Sequence, residues 1–139
     1  MPVIHTWDGA LLRMNLVGTY EPEDILRQFE EALAEAPTQD KVALFVDTTK
    51  SEVLGTRTPG QIRVVAQALA PYAERIGGRC AIVATEDIHF GLSRMGSVYS
   101  ESVGVETEVF RTEDEALAWL GVRADRVPEM NGPIPESAP

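Results

Sequence analysis

The sequence predicts a single α/β domain whose sheet is mostly parallel. Segments rich in β-formers alternate with amphipathic helical segments between residues 3 and 120, and such alternation is typical of strands joined by helical crossovers. Two of the strand segments, residues 42–46 and 80–84, are continuously apolar, as in strands buried on both faces. A length of 139 residues suits one domain. We therefore expect a mixed sheet of about five strands with about four helices.

The first two strand segments, residues 3–7 and 11–17, form a predicted hairpin. Asp8 and Gly9 lie between them, and an Asp-Gly pair readily adopts the positive φ values of a tight turn. Alternate residues of the second segment are apolar, which indicates a strand with one buried face. The first strand is therefore expected to pair antiparallel with the second.

The first helix is predicted at residues 22–35, and Pro22 suits its first turn because an N–H group there has no helical partner. Apolar residues spaced three and four apart give this helix one buried stripe. These residues are Ile25, Phe29, Ala32, Leu33 and Ala36. The strand at residues 42–46 follows the helix, and residues 47–57 are predicted to form a polar loop.

The second helix has a well-marked predicted start. Thr58, Pro59 and Gln61 have the spacing of a capping box, with Thr58 as the N-cap. Pro71 interrupts the helical pattern, which predicts a kink or a break, because proline lacks the N–H group and clashes with the preceding turn. The glycines at 77–78 end the segment.

The remaining elements continue the alternation. A strand at residues 80–84 precedes a helix at 87–103, and a short strand follows at 107–110. Residues 112–115 have a second capping-box pattern, and Gly121 ends the last helix. The predicted order is thus β-β-α-β-α-β-α-β-α.

The last residues, 122–139, differ from the rest in composition. They show no hydrophobic periodicity, and four of the nine prolines of the chain fall in the last twelve positions. This composition predicts a tail that is extended and at least partly disordered, or one that lies across a partner subunit. The predicted organisation is one domain over residues 1–121 followed by this Pro-rich tail.

Charge and cysteine content limit the function classes. The net charge of −10 opposes binding to nucleic acid or to an anionic membrane surface. Cys80, the single cysteine, rules out an internal disulfide and lies in an apolar run, where a thiol is usually a core residue. No apolar segment is long enough to span a bilayer, and the first residues lack a signal-peptide pattern. We expect a cytoplasmic protein.

Four short stretches, taken with the element order, carry a resemblance to a known fold. They comprise residues 18–20, 42–49, 89–95, and 109–111 leading to 115–120. The chain resembles the STAS-like proteins, which share the fold of the anti-sigma factor antagonists (SpoIIAA-like proteins), over roughly residues 3–120. The resemblance implies a small bacterial protein from a group mostly without assigned function.

The resemblance also implies a candidate phosphoacceptor. In the antagonists, a Ser or Thr at the start of the helix after the central strand is phosphorylated within an Asp-Ser-Ser-Gly-like motif. Residues 55–60 occupy this place here, without the Asp and the Ser pair. Thr58 matches the phosphorylated residue in position, and it is also predicted to be the N-cap of the second helix.

Polar residues after two predicted strands form a candidate binding surface. Ligands of open α/β sheets bind beyond the carboxyl ends of the strands, and the helix N-termini that follow attract anions. Arg57 or Arg94 is the expected partner of an anionic group, since a guanidinium binds such groups bidentately. The candidate ligand or partner surface consists of Asp47, Thr48, Arg57, Thr58, His89, Phe90 and Arg94.

Each of these side chains also has a structural interpretation. Asp47 suits a turn, and Thr48 suits a local hydrogen bond. Arg94 has acidic residues within reach at the start of the third helix. His89 suits an exposed surface position. These interpretations stay open at the level of sequence.

No spacing of residues indicates catalysis. His5 is far in sequence from Cys80, and no metal-ligand motif occurs. We therefore predict no metal and no cofactor. The first hypothesis is a non-enzymatic regulatory or interaction module that contacts a protein partner or a second copy of itself. The alternative is a binding protein for a small anionic, apolar or lipid-like molecule at the strand ends, and an enzyme is the third hypothesis.

Overall fold

The structure, a computed structural model, describes residues 3–36 and 41–121. Within them lies one five-stranded sheet of order β1-β2-β3-β4-β5, with β1 antiparallel to β2 and the other pairs parallel. The predicted α/β class and mixed sheet are confirmed. The elements are β1 Val3–Asp8, β2 Leu11–Gly18, α1 Pro22–Ala34, β3 Ala43–Ser51, α2 Pro59–Gln67, β4 Arg79–Val83, α3 Asp87–Glu101, β5 Glu106–Phe110 and α4 Glu113–Leu120, with short 3-10 helices at Leu54–Thr56 and Ala70–Tyr72.

The β1–β2 hairpin forms where the Asp-Gly pair predicts it. Asp8 pairs with Leu11, and Gly9 has a φ of 61° in the turn. That conformation strains any residue with a Cβ, so the glycine permits the tight connection. The hairpin brings Val3 opposite Leu16 and closes one edge of the core.

The two faces of the sheet are covered differently. Helices α1, α2 and α3 cover the face that carries Leu12, Met14, Leu44 and Cys80, which we call the three-helix face. Crossover connections between parallel strands are right-handed, and here each one leads to the next strand in the same direction across the sheet. The three helices therefore lie on one face. Helix α4 follows the last strand and covers the other face, called here the α4 face. Its core consists of Leu11, Phe45, Ala81, Val83, Ala116 and Leu117.

The third strand is longer than its apolar run predicts. The polar loop predicted for residues 47–57 is wrong at its start, because β3 continues to Ser51. Pairing with β4 stops at Asp47, but pairing with β2 resumes after a register shift and reaches Gly18 opposite Ser51. Backbone hydrogen bonds to β2 therefore keep polar residues in the strand. Thr48 is consequently buried in the sheet.

The second helix starts and breaks where the sequence predicts. The Thr58 Oγ1 atom accepts the N–H of Gln61 at 3.2 Å, and the Thr58 N–H donates to the Gln61 side-chain oxygen at 2.9 Å, which completes the capping box. The helix ends at Gln67, and the 3-10 turn Ala70–Tyr72 contains Pro71. The predicted break is confirmed, and α2 is therefore a short separate segment.

The end of the described chain is anchored by α4. Thr112 caps this helix by accepting the N–H of Glu115, and Gly121 ends it with a φ of 80°. The predicted tail at residues 122–139 lies outside the described residues. None of the helices in the described part of the chain is long and apolar enough to cross a membrane.

Candidate functional site

A cavity of about 150 Å³ lies between the three-helix face and the helices that cover it. Met14, Leu44 and Ile82 line it from the sheet, and Ile25 of α1 and Val65 of α2 line it from above. Its walls are almost entirely apolar. Neighbouring side chains on both layers meet the cavity rather than each other, so this part of the core is less completely packed than a typical interior.

Helix α2 covers the cavity loosely. Every residue of α2 is half-buried or exposed, including the cavity-lining Ile62, Val65 and Ala66. Helix α1, by contrast, buries Phe29 and several neighbours completely against the same face. The apolar stripe of α2 thus borders the cavity without filling it. Of the three helices over this face, α2 has the least buried surface to hold it in place.

Arg57 is the one charged residue that lines the cavity within the described chain. It is half-buried just before α2, and its Nη2 group donates to the backbone carbonyl of Tyr20. Its guanidinium also lies 5.3 Å from the centre of the Tyr20 ring, within the range of a cation–π contact. No carboxylate in residues 3–36 and 41–121 forms an ion pair with it. The cavity therefore combines apolar walls with a single cation.

The segment that carries Arg57 is held by a buried serine. The hydroxyl groups of Ser51 and Tyr20 are 2.7 Å apart, and the Ser51 Oγ atom also accepts the N–H of Leu54 at 3.1 Å. Burial raises the pKa of the Tyr20 hydroxyl, although the hydrogen bond to Ser51 and the charge of Arg57 both act to lower it. Tyr20 thus stays neutral and fixes the backbone that leads into the 3-10 turn.

Three further polar side chains on the cavity wall, Thr48, Ser100 and Thr107, are hydrogen-bonded to the protein. The Thr48 hydroxyl donates to the Val83 carbonyl at 2.8 Å. The Ser100 and Thr107 hydroxyls are 2.7 Å apart and join α3 to β5. Because these groups have partners, their burial has little cost. The predicted local bond of Thr48 is instead a bond between neighbouring strands.

The predicted candidate residues do not form one cluster. Thr48 and Arg57 line the cavity, and Thr58 is exposed at the start of α2. Asp47 alternates with Thr48 and therefore faces the α4 face, where its Oδ1 atom accepts the N–H and hydroxyl of Thr49. Only part of the predicted surface is thus at the cavity.

The residues predicted on the third helix lie elsewhere. His89 is 5% exposed rather than a surface residue, and its imidazole packs against the 3-10 turn near Gly55. Its Nδ1 atom has no hydrogen-bond partner among the residues that the structure describes. Phe90 lies beneath Arg111, whose guanidinium is 4.1 Å from the ring centre. Arg94 is exposed, and the acid at the helix start, Asp87, pairs with Arg111 at 2.9 Å.

Sequence reasoning missed Tyr20, which lines the cavity, and Ser51, whose hydroxyl is hydrogen-bonded to that of Tyr20. The sequence predicts no role for either residue, because their roles depend on contacts between elements far apart in the chain. The aromatic residue that follows β2 was the signal available for Tyr20. No comparable signal marks Ser51.

The cavity-lining thiol is expected to be unreactive in the native protein. Burial raises the pKa of Cys80 to about 12, and the thiolate is the form that reacts. At mildly alkaline pH, iodoacetamide should leave the native protein unlabelled and label the urea-unfolded protein fully, as measured by intact-mass spectrometry. Similar labelling rates in both states would contradict the buried position of Cys80.

Comparisons with known proteins identify the fold. No protein-family model matches the sequence, and no curated protein matches it. A solved structure does match, that of an uncharacterised protein from the DUF3478 family with a SpoIIAA-like fold from Shewanella loihica PV-4. The TM-score is 0.52 and the sequences are 17% identical, over 85% of this chain and 91% of that chain. The predicted STAS-like, SpoIIAA-like fold is therefore confirmed.

Proposed function

We propose that this SpoIIAA-like domain is a non-enzymatic binding protein for a small apolar molecule, which occupies the cavity beneath α2. The observation that carries the proposal is the apolar cavity of about 150 Å³ in the interior of the sheet–helix layer. Apolar cavities of about this volume stay dry and bind benzene-sized molecules. A bound apolar molecule would remove its own apolar surface from water in this cavity, which favours binding.

The chemistry of the cavity wall supports binding rather than covalent catalysis. Cys80 has a pKa raised to about 12, whereas a nucleophilic cysteine requires a lowered one. The hydroxyls of Thr48 and Ser100 are engaged with the protein. The wall thus offers shape and apolar contact, which are the properties of a binding site.

A regulatory interaction module is the second candidate. The observation that favours it is the exposure of apolar side chains on adjacent helices, with Val64 of α2 60% exposed and Val98 of α3 66% exposed. Thr58, the predicted phosphoacceptor, is exposed at the N-terminus of α2, where a phosphate is electrostatically favourable. Mass spectrometry of the protein from its own host tests this candidate, and an unmodified Thr58 under all growth conditions would contradict its phosphorylation.

The binding proposal predicts opposite outcomes for two neighbouring valines. Val65 lines the cavity and Val64 points to solvent on the same helix, so Val65→Phe and Val64→Phe are matched substitutions. Titration with toluene, followed by amide chemical shifts, should give saturable shifts in the wild type and in Val64→Phe. Val65→Phe should bind at least about tenfold more weakly, because displacing roughly two methylene groups of apolar contact has that effect.

Two results would contradict the binding proposal. One is the lack of any saturable shift in the wild-type protein. The other is unchanged toluene affinity in Val65→Phe, provided that its thermal unfolding remains cooperative. Either result would leave the cavity as a packing feature and favour the interaction module.

A further inference from the structure

We propose that the natural ligand is a small organic carboxylate, whose apolar body lies in the cavity and whose carboxylate binds Arg57. This inference rests on the proposed function and adds the head group of the ligand. Its observations are the placement of the guanidinium on an apolar wall and the partners that this guanidinium has. An apolar body of about the size of a benzene ring suits the cavity of about 150 Å³.

In the part of the chain that the structure describes, Arg57 lacks the carboxylate partner that several other arginines have, and it differs from the exposed Arg63 and Arg94 in being half-buried. The chain has 22 acidic and 12 basic residues, so carboxylates are abundant. Arg13 pairs with Glu113 at 3.0 Å, and Arg27 pairs with Asp24 at 2.8 Å. Arg57 is half-buried yet forms no such pair within the described residues. A partly desolvated guanidinium beside an apolar cavity favours an anion supplied by a ligand.

The Tyr20 contacts orient the guanidinium. One Nη2 N–H donates to the Tyr20 carbonyl, and the Tyr20 ring lies 5.3 Å from the guanidinium carbon. Arginine has five side-chain N–H donors in a planar arrangement, and the bond to Tyr20 is the hydrogen bond that the structure gives to the Arg57 guanidinium within the described chain. The remaining donors are sufficient for the two oxygens of a carboxylate, which a guanidinium binds bidentately.

The number of cations favours a monoanion. Arg57 is the single charged group on the described cavity wall, and the net charge of the chain is −10. A phosphomonoester carries nearly two negative charges at neutral pH and would be left with excess charge here. Arg94, the other predicted anion partner, is exposed and does not line the cavity. A single carboxylate therefore matches the site.

Paired probes test the head group separately from the cavity. Benzoate and benzyl alcohol share a ring but differ in charge, and both are titrated into the full-length protein by calorimetry. The wild type should bind benzoate at least about tenfold more tightly, as expected for charge-assisted hydrogen bonds. Arg57→Met should remove this preference while it keeps the affinity for benzyl alcohol. Arg57→Lys should retain part of the preference, since lysine keeps the positive charge but lacks the planar N–H donors that bind a carboxylate bidentately.

Control variants and outcomes separate the two proposals. Arg94→Met removes an exposed charge and should leave both affinities unchanged. Equal binding of the two probes to the wild type, or a preference that survives in Arg57→Met, would overturn the carboxylate inference alone if toluene still binds. If toluene and both probes fail to bind, both the carboxylate inference and the proposed binding function are wrong.

Discussion

Replacement of Phe45 by alanine is expected to lower the free energy of unfolding by about 3–5 kcal/mol, the range for truncation of a buried aromatic residue. Phe45 is 0% exposed and is the largest side chain of the core on the α4 face. The Arg13 guanidinium lies 4.5 Å from its ring centre, so truncation also removes a cation–π contact. Urea unfolding measures the change.

A matched substitution controls for the chemistry of the change. Phe90 on α3 is half-buried, so Phe90→Ala removes the same atoms from a site with less packing. Its effect should be clearly smaller than that of Phe45→Ala. A loss below about 1 kcal/mol for Phe45→Ala, typical of a surface change, would contradict the central position of Phe45.

Replacement of Ser51 by alanine is expected to lower the free energy of unfolding by about 2–4 kcal/mol, because each buried polar group left without a partner costs about 1–3 kcal/mol. Three groups lose a partner: the Tyr20 hydroxyl, the Leu54 N–H and the more weakly bound Val53 N–H. The same change loosens the turn that carries Arg57. It should therefore reduce the preference for benzoate over benzyl alcohol as well as stability.

Two further variants isolate the buried hydrogen bonds of Ser51. Tyr20→Phe removes one hydroxyl and should have a smaller effect than Ser51→Ala, and the double variant should be less destabilised than the sum. Ser102→Ala, at an exposed serine, serves as the control and should change stability by about 0.5 kcal/mol or less. Additive effects in the double variant would show that the two hydroxyls act independently.

The fold was predictable from the sequence where local chemistry determines it. The Asp8-Gly9 turn, the Thr58 cap and the break at Pro71 each depend on a few neighbouring residues, and each forms as expected. The extension of β3 to Ser51 depends on pairing with β2 across a register shift. A polar sequence gives no sign of such pairing, so that segment was misassigned.

The candidate site was less predictable than the fold. Arg57 was identified from its place after a strand, and it does line the cavity. His89 and Asp47 were grouped with it by the same rule, although one is buried against a turn and the other faces the opposite side of the sheet. The cavity itself arises from side-chain volumes across separate elements, and hydrophobic periodicity does not report such volumes.

Because no residue of α2 is buried, a small molecule could reach the cavity without unfolding of the whole domain. Local opening requires the least free energy where few apolar groups are buried, and every residue of α2 is half-buried or exposed while β3 runs through the centre of the sheet. We therefore expect α2 to open before α1 and α3, which bury residues against the same face. For the ligand that we propose, exchange with solvent would then depend on the rate at which this short helix opens, rather than on the stability of the whole fold.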